Sequence, residues 1–289
     1  MHRKTIEQHL ESKFQEFLES IEDSHLKKLL RTDTIITGGC IASMLLNEKV
    51  NDYDLYLTRL GTVTAVGSYF CRKFREQNPD LNDYPKIAVE ERRVKVIARP
   101  DGVALKKGLS TDDIWNDTCS TTAKSTLDDV DDYQPVFLSE NAITLSAGIQ
   151  IVLRFYGEPE RIHSTYDFVH CMNYWRSRDS KLVLTLDALE SLLAKRLVYK
   201  GSKYPICSMI RARKFIKRGW SINAGQLLKM AFQISELDLK DVDTLSDQLI
   251  GIDTLHFQAL IAKMKSSVAG KQKKELSNVC LDAYIDEIF

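Results

Sequence analysis

The stretch Thr34-Ile-Ile-Thr-Gly-Gly-Cys40, followed after eleven intervening residues by Asp52-Tyr-Asp-Leu-Tyr-Leu-Thr58, decides how this chain is read. Ile35 and Ile36 form a short apolar strand, two glycines turn out of it, and a short apolar helix follows. Leu55 and Leu57 then alternate around Asp52 and Asp54, a period of two that predicts a second strand. Alternation puts Asp52 and Asp54 on one face, roughly 7 Å apart along the backbone. Carboxylates so placed can share divalent metal ions. Glycines at a helix start let a phosphate approach the backbone N–H groups and the positive end of the helix dipole. A phosphate cradle beside a metal-binding pair is the apparatus a nucleoside triphosphate requires.

Composition bounds what surrounds this unit. A chain of 289 residues is long enough for one large domain or two moderate ones. Forty basic residues balance forty acidic ones, so no global field favours nucleic acid, and any such argument must rest on local clustering. The six cysteines, at positions 40, 71, 119, 171, 207 and 280, lie far apart without a Cys-x-x-Cys pair. That spacing argues against a zinc ribbon and against a compact disulfide framework, and points to thiols in a reducing compartment. The N-terminus has no apolar run of the signal-peptide kind. No stretch approaches the roughly 18 apolar residues of a membrane span. A cytoplasmic location without membrane contact is the expectation.

Outward from the centre, Ile6, Leu10, Phe14, Phe17, Leu18 and Ile21 recur at helical spacing and predict an amphipathic helix over 5–31, broken near Asp23-Ser24. Thr5 with Gln8 fits a capping box at its start. A helix over 62–77 and a hairpin over 86–99 follow. The polar segment 106–134 carries a dense acidic run. Asp129, Asp131 and Glu140 sit in an EF-hand register, but Gln134 stands where the loop needs glycine, which excludes calcium binding of that kind. The segment reads as a surface loop or lid. Strands are expected at 136–138, 142–145 and 149–155, then a short helix from Glu158 to Tyr166 and an apolar strand from Asp167 to Trp175. His163, Asp167 and His170 are metal-ligand types, yet a zinc site wants four convergent ligands. The nearby Cys171 would point away from His170 on a strand, so both histidines read as structural. From 185 onward the pattern is helical: 187–197, 205–218, 221–237, 242–252, 253–268 and 273–288. The expected division is a helix at 1–31, a catalytic domain at 32–180 and a helical domain at 181–289.

Charge in the helical part is uneven. No Asp or Glu occurs from Ser191 through Ser235, whereas ten Lys and Arg residues do. Arg211, Lys214 and Arg218 fall along one helical face, with Lys217 beside it. A one-sided basic surface calls for an anionic partner, and triphosphate or nucleic-acid backbone both suit it. Tyr199, Tyr204, Phe215 and Trp220 are interleaved with these charges and offer stacking surfaces. No P-loop, His-Glu-x-x-His or Gly-x-Ser-x-Gly pattern exists to support a kinase, zincin or serine hydrolase reading.

The apolar lead-in, Gly38-Gly39 and the Asp52-x-Asp54 strand together resemble the signature of the DNA polymerase beta-like nucleotidyltransferase superfamily. The hairpin, helix and Tyr-Asp-Phe stretch over 136–176 is similar to nucleotidyltransferase-like proteins of phages and large viruses. The resemblance implies an α+β fold, a nucleotidyltransferase-type mixed sheet flanked by helices, with an all-helical C-terminal domain. It implies two Mg2+ ions, with Mn2+ as a substitute, held by Asp52, Asp54 and a third carboxylate on a later strand, for which Asp167 is the candidate and also the best general base. Gly38 and Gly39 would cradle the triphosphate, and Arg211, Lys214 and Arg218 would grip its tail or an acceptor strand. The implied reaction moves a nucleoside monophosphate from a nucleoside triphosphate to an acceptor hydroxyl. An RNA (tRNA-like) 3′ end is the first choice of acceptor and a protein hydroxyl the second. A non-catalytic binding module that keeps the fold is the competing class.

Overall fold

The computed structural model describes residues 1–79, 84–90, 93–97, 103–104 and 133–249. The expectations for the loop at 106–132 and for helices beyond 250 lie outside these residues. The chain divides into two compact units, one made of Met1–Ser164 with His170–Leu192, the other of Thr165–Val169 with the chain from Leu193 onward. The first unit therefore takes in the N-terminal helices and continues past the division expected at 180.

In the first unit, α1 (Arg3–Ser20) and α2 (Ser24–Asp33) precede β1 (Thr34–Thr37), α3 (Gly39–Leu45), β2 (Tyr53–Leu57) and α4 (Leu60–Gln77). The break between α1 and α2 has a local cause. Asp23 caps α2, its carboxylate accepting from the amides of His25 at 2.8 Å and Leu26 at 3.0 Å, an arrangement worth about 1 kcal/mol. The capping box expected at Thr5 does not form, because the helix already runs from Arg3 with His2 at its cap. A separate hairpin of β3 (Lys86–Glu90) and β4 (Arg93–Ile97) follows. Then come β5 (Val103–Ala104), β6 (Pro135–Leu138), β7 (Ala142–Leu145), β8 (Ile149–Tyr156), α5 (Pro159–His163), β9 (Tyr174–Arg176), β10 (Lys181–Val183) and α6 (Leu186–Leu193).

Among the described residues one sheet holds eight strands in the order β10-β9-β1-β2-β8-β7-β6-β5. All neighbours are antiparallel except β2 and β8, which run parallel. The fold is thus α+β, a mixed sheet flanked by helices. Alternation decides its faces. Leu55 and Leu57 from β2, Ile149, Ile151 and Leu153 from β8, and Trp175 from β9 join Ile6, Leu10, Phe14 and Phe17 of α1 and Val66, Phe70 and Phe74 of α4 in one core. Each such side chain contributes roughly 1.5–3 kcal/mol by leaving water. Asp54 lies between the core residues Tyr53 and Leu55 and so faces the other side of the sheet. At the far end of β1, the buried Asp33 accepts from Arg59 Nε at 2.8 Å and from the Thr62 hydroxyl, tying the start of the strand to α4.

One expected strand is a correction. Residues 167–175 form only β9 at their end, and Val169–Cys171 is a turn of 3-10 helix. Phe168, Met172 and Trp175 in this apolar run are buried, although only its end pairs in the sheet, a distinction that periodicity over a few residues cannot make.

In the second unit, α7 (Pro205–Lys217), α8 (Ala224–Ser235) and α9 (Val242–Leu249) are joined by the short segment Thr165–Val169. That segment is held by backbone bonds. Lys200 N–H donates to Asp167 O at 2.8 Å, and Val169 N–H donates to Val198 O at 3.1 Å. α7 ends at Gly219, whose φ of 81° is left-handed. Trp220 N–H reaches back to Phe215 O at 3.1 Å, and the two rings pack at 5.4 Å, so a Schellman-type stop fixes where Arg218 emerges.

Candidate active site

β1 delivers its chain to the glycine turn, and β2 delivers Asp54 beside it. Thr37 stands opposite Asp54 in the antiparallel register, so the residue before Gly38 and the second aspartate are lateral neighbours. Asp52 lies just before the strand and is exposed, whereas Asp54 is half-buried. The carboxyls of both rise from the ordinary range. For Asp54 the value is about 8, caused first by burial and then by the charge of Asp52; for Asp52 the cause is crowding by surrounding protein, even though the residue as a whole is exposed. Cys40, buried in the first turn of α3, has a thiol pushed well up by burial and then by Asp54 and Asp52, so it is a neutral neighbour of the pair and no nucleophile.

The turn itself is built for a glycine and then for empty space. Gly38 is buried, with φ 92° and ψ −147°, a conformation that side-chain-bearing residues avoid. Its N–H is already used, donating to Cys171 O at 3.2 Å. Gly39 is exposed and opens α3, and a Cβ added there would meet nothing within 4 Å. The first N–H groups of the helix have no acceptor within it. The room for a ligand therefore lies at Gly39, while Gly38 shapes the turn.

Behind the turn sits a buried network. Thr37 Oγ1 lies 2.8 Å from Asn173 O, 3.3 Å from Cys171 O and 2.9 Å from His163 Nε2. A hydroxyl has one hydrogen to give. If it goes to the nearer carbonyl, Asn173 O, then His163 Nε2–H is the donor to Thr37. His163 also packs edge-on against Tyr174 at 5.5 Å. His163 is thus buried with a hydrogen-bond partner that spacing did not reveal. Thr37→Val keeps the shape and removes the hydroxyl, so it should cost about 1–3 kcal/mol by leaving buried groups unpaired, while Thr37→Ser should retain most of the network. Urea denaturation reads the difference; equal stability of the two variants would show that the network carries no weight.

The remaining expected site residues belong to the second unit. Asp167 forms an ion pair with Arg211, Oδ2 to Nε at 3.0 Å. Lys214 and Arg218 are exposed, Arg211 is half-buried, and the Arg218 guanidinium lies over the Phe215 ring at 5.5 Å. The structure therefore gathers Gly38, Gly39, Asp52 and Asp54 in one unit and Asp167, Arg211, Lys214 and Arg218 in the other. Among the described residues no group of three or more His, Cys, Asp and Glu side chains gathers as a metal-holding cluster, and no helix is long and apolar enough to cross a membrane.

Two carboxylates suit a hard cation. Mg2+ is commonly held by one or two carboxylates together with water and substrate phosphate oxygens. Burial raises both carboxyls and the charge of Asp52 raises Asp54 further, a cost that a bound cation would relieve. The donor set of Asp52 and Asp54 fits Mg2+, and Mn2+ equally.

A phage protein, Gabija anti-defense 2 of Bacillus phage SPbetaL7, is 21% identical over 246 residues, which is 83% of this chain and 47% of that protein. Two solved structures are similar at low levels: a Thermotoga maritima CCA-adding enzyme complexed with tRNA, 14% identical with a TM-score of 0.40, and a Bacillus stearothermophilus CCA-adding enzyme in complex with CTP, 13% identical with a TM-score of 0.42. They cover 88% and 82% of this chain, and 54% and 47% of their own. The chain spans about half the length of the proteins it matches. The Gad2 family, described as Gabija anti-defense 2 family protein, matches residues 8–195. The chain belongs to the Gabija anti-defense 2 family.

Proposed function

We propose that this protein is a metal-dependent nucleotidyltransferase, a reading carried by the Asp52–Asp54 pair beside an open glycine turn. Asp52 and Asp54 would hold the cation, which when bound supplies positive charge to the triphosphate and makes the acceptor hydroxyl easier to deprotonate. Gly39, where the turn is open, would admit the phosphates to the amides at the start of α3, and Gly38 would keep those amides aimed. The acceptor oxygen bonds to the α-phosphorus, the bond to the bridging oxygen breaks, and pyrophosphate leaves; the hydroxyl proton passes to solvent. Asp167 has a different task in this reading: it holds Arg211 in place, so the pair on β2 supplies the metal-binding charge.

The acceptor follows from the basic face of α7. Lys214 and Arg218, with Arg211 behind them, suit a phosphate backbone, which supports an RNA 3′ end. The family description favours a second reading, in which the acceptor is a polypeptide of the Gabija defence. Incubation of the full chain with each α-labelled ribonucleotide, Mg2+, total RNA and the Gabija proteins separates the two. Label in RNA that falls steeply with salt, with a slope reduced by about 1 for each of Arg211, Lys214 and Arg218 neutralised, supports the first. Label in protein, insensitive to those changes, supports the second. No label in either, from folded protein supplied with Mg2+ and with Mn2+, would overturn nucleotidyl transfer.

A further inference from the structure

We propose that Gln150 is a substrate-contacting residue of this site, reaching the nucleotide from the strand beside Asp54. The inference rests on the nucleotidyl-transfer reading and adds a side chain to it. β8 runs parallel to β2 in the register Tyr53↔Ile149, Asp54↔Gln150 and Leu55↔Ile151. Tyr53, Leu55, Ile149 and Ile151 all enter the core, so Asp54 and Gln150 share the opposite face as direct neighbours. Adjacent strands lie about 4.8 Å apart. Thr37 flanks Asp54 on the other side, and its hydroxyl is spent on the buried network behind the turn. Gln150 differs: it is half-buried, and its carboxamide has no hydrogen-bond partner among the described residues.

The residue type matters. A carboxamide carries two N–H donors and an acceptor without net charge. Beside two carboxylates it can donate to phosphate oxygens or pair with a hydroxyl, and it adds no further repulsion to Asp52 and Asp54. A glutamate in its place would have the same reach and the opposite effect, adding a third negative charge next to Asp54. Gln150 is thus placed to hold the nucleotide while leaving the charge of the site to the two aspartates. Its neutrality then limits how tightly a cation is held before nucleotide arrives.

Cation and nucleotide binding test this without turnover. Mn2+ would be titrated into the full chain and followed by its electron paramagnetic resonance, with wild type, Asp54→Asn, Gln150→Glu and Gln150→Leu compared, each checked for an unchanged melting curve. Gln150→Glu should bind Mn2+ roughly tenfold tighter or more, as expected from a unit charge about 5 Å from a divalent ion in a water-like dielectric. Gln150→Leu should leave Mn2+ affinity unchanged and weaken binding of a non-hydrolysable triphosphate about tenfold, the loss of one hydrogen bond to a charged group. Wild-type Mn2+ affinity in Gln150→Glu, with Asp54→Asn still losing the ion, would overturn the assignment of Gln150 and leave the transferase reading standing. Equal Mn2+ binding by wild type and Asp54→Asn would overturn both. Should Gln150→Glu fail to melt as the wild type does, Gln150→Leu decides alone: unweakened triphosphate binding sinks the proposal.

Discussion

Asp54→Asn should abolish nucleotidyl transfer and, at pH 8 to 9, melt at a higher temperature than the wild type. The two effects share one cause. In the fold the Asp54 carboxyl titrates at about 8 instead of the ordinary 3.8, because burial and the neighbouring Asp52 charge both oppose its ionisation. A carboxyl raised on folding takes up a proton between those values. Its charge therefore costs the native state nothing below the unfolded value, costs progressively more as pH rises between the two, and costs most above 8. Asparagine is nearly isosteric and removes that cost. A gain of about 1 kcal/mol corresponds to roughly 2–4 °C in a protein of this size. The loss of activity should be at least about 10³-fold, the scale of removing one preorganised charge from a reacting centre. Added Mg2+ should raise the wild-type melting temperature at pH 8 and leave the variant unmoved. If the variant melts at or below the wild-type temperature at high pH, the aspartate is a structural partner and this account of it fails.

The second large effect separates two adjacent glycines. Gly38→Ala should destabilise the fold by about 2–3 kcal/mol and remove activity, since φ 92° with ψ −147° belongs to a region that is essentially glycine's alone. Gly39→Ala should leave stability unchanged or slightly raised. Its Cβ meets nothing within 4 Å, and alanine favours the helix that begins there by up to about 1 kcal/mol. Activity should nevertheless fall, because the methyl group would stand in the space assigned to phosphate. Chemical denaturation and nucleotide binding, measured together, resolve the pair. A Gly39→Ala protein that binds triphosphate normally would show that the open space is not a ligand site.

The parts of this molecule legible in the sequence are those set by neighbours along the chain. Glycine spacing, strand alternation through Leu55 and Leu57, and the apolar stripe of α1 are local patterns, and they placed β1, β2, the N-terminal helix and the face on which Asp54 stands, while the mixed sheet was what the family resemblance implied. Contacts between distant segments were not legible. Nothing near Thr37 announces that Asn173 and His163 will meet it, and nothing in Ile149-Gln-Ile states that its centre will lie beside Asp54, because that register is fixed by a parallel pairing of strands far apart in sequence. Asp167 shows the converse. Its setting in an apolar run reads as the mouth of a strand, whereas the fold gives it a backbone bond from Lys200 and an ion pair with Arg211.

Because Thr165–Val169 belongs to the second unit while the residues on both sides belong to the first, the polypeptide crosses between units more than once. On the ribosome, those five residues emerge long before their partners Val198, Tyr199 and Lys200. Until synthesis has passed Lys200, the backbone groups of that segment can pair only with water. The same threading governs dissection. A fragment stopped at Leu192 would leave that segment without its partners, and one begun at Leu193 would lack the segment that Lys200 and Val198 bind. The two units are separable as compact bodies but inherited as one indivisible piece of chain.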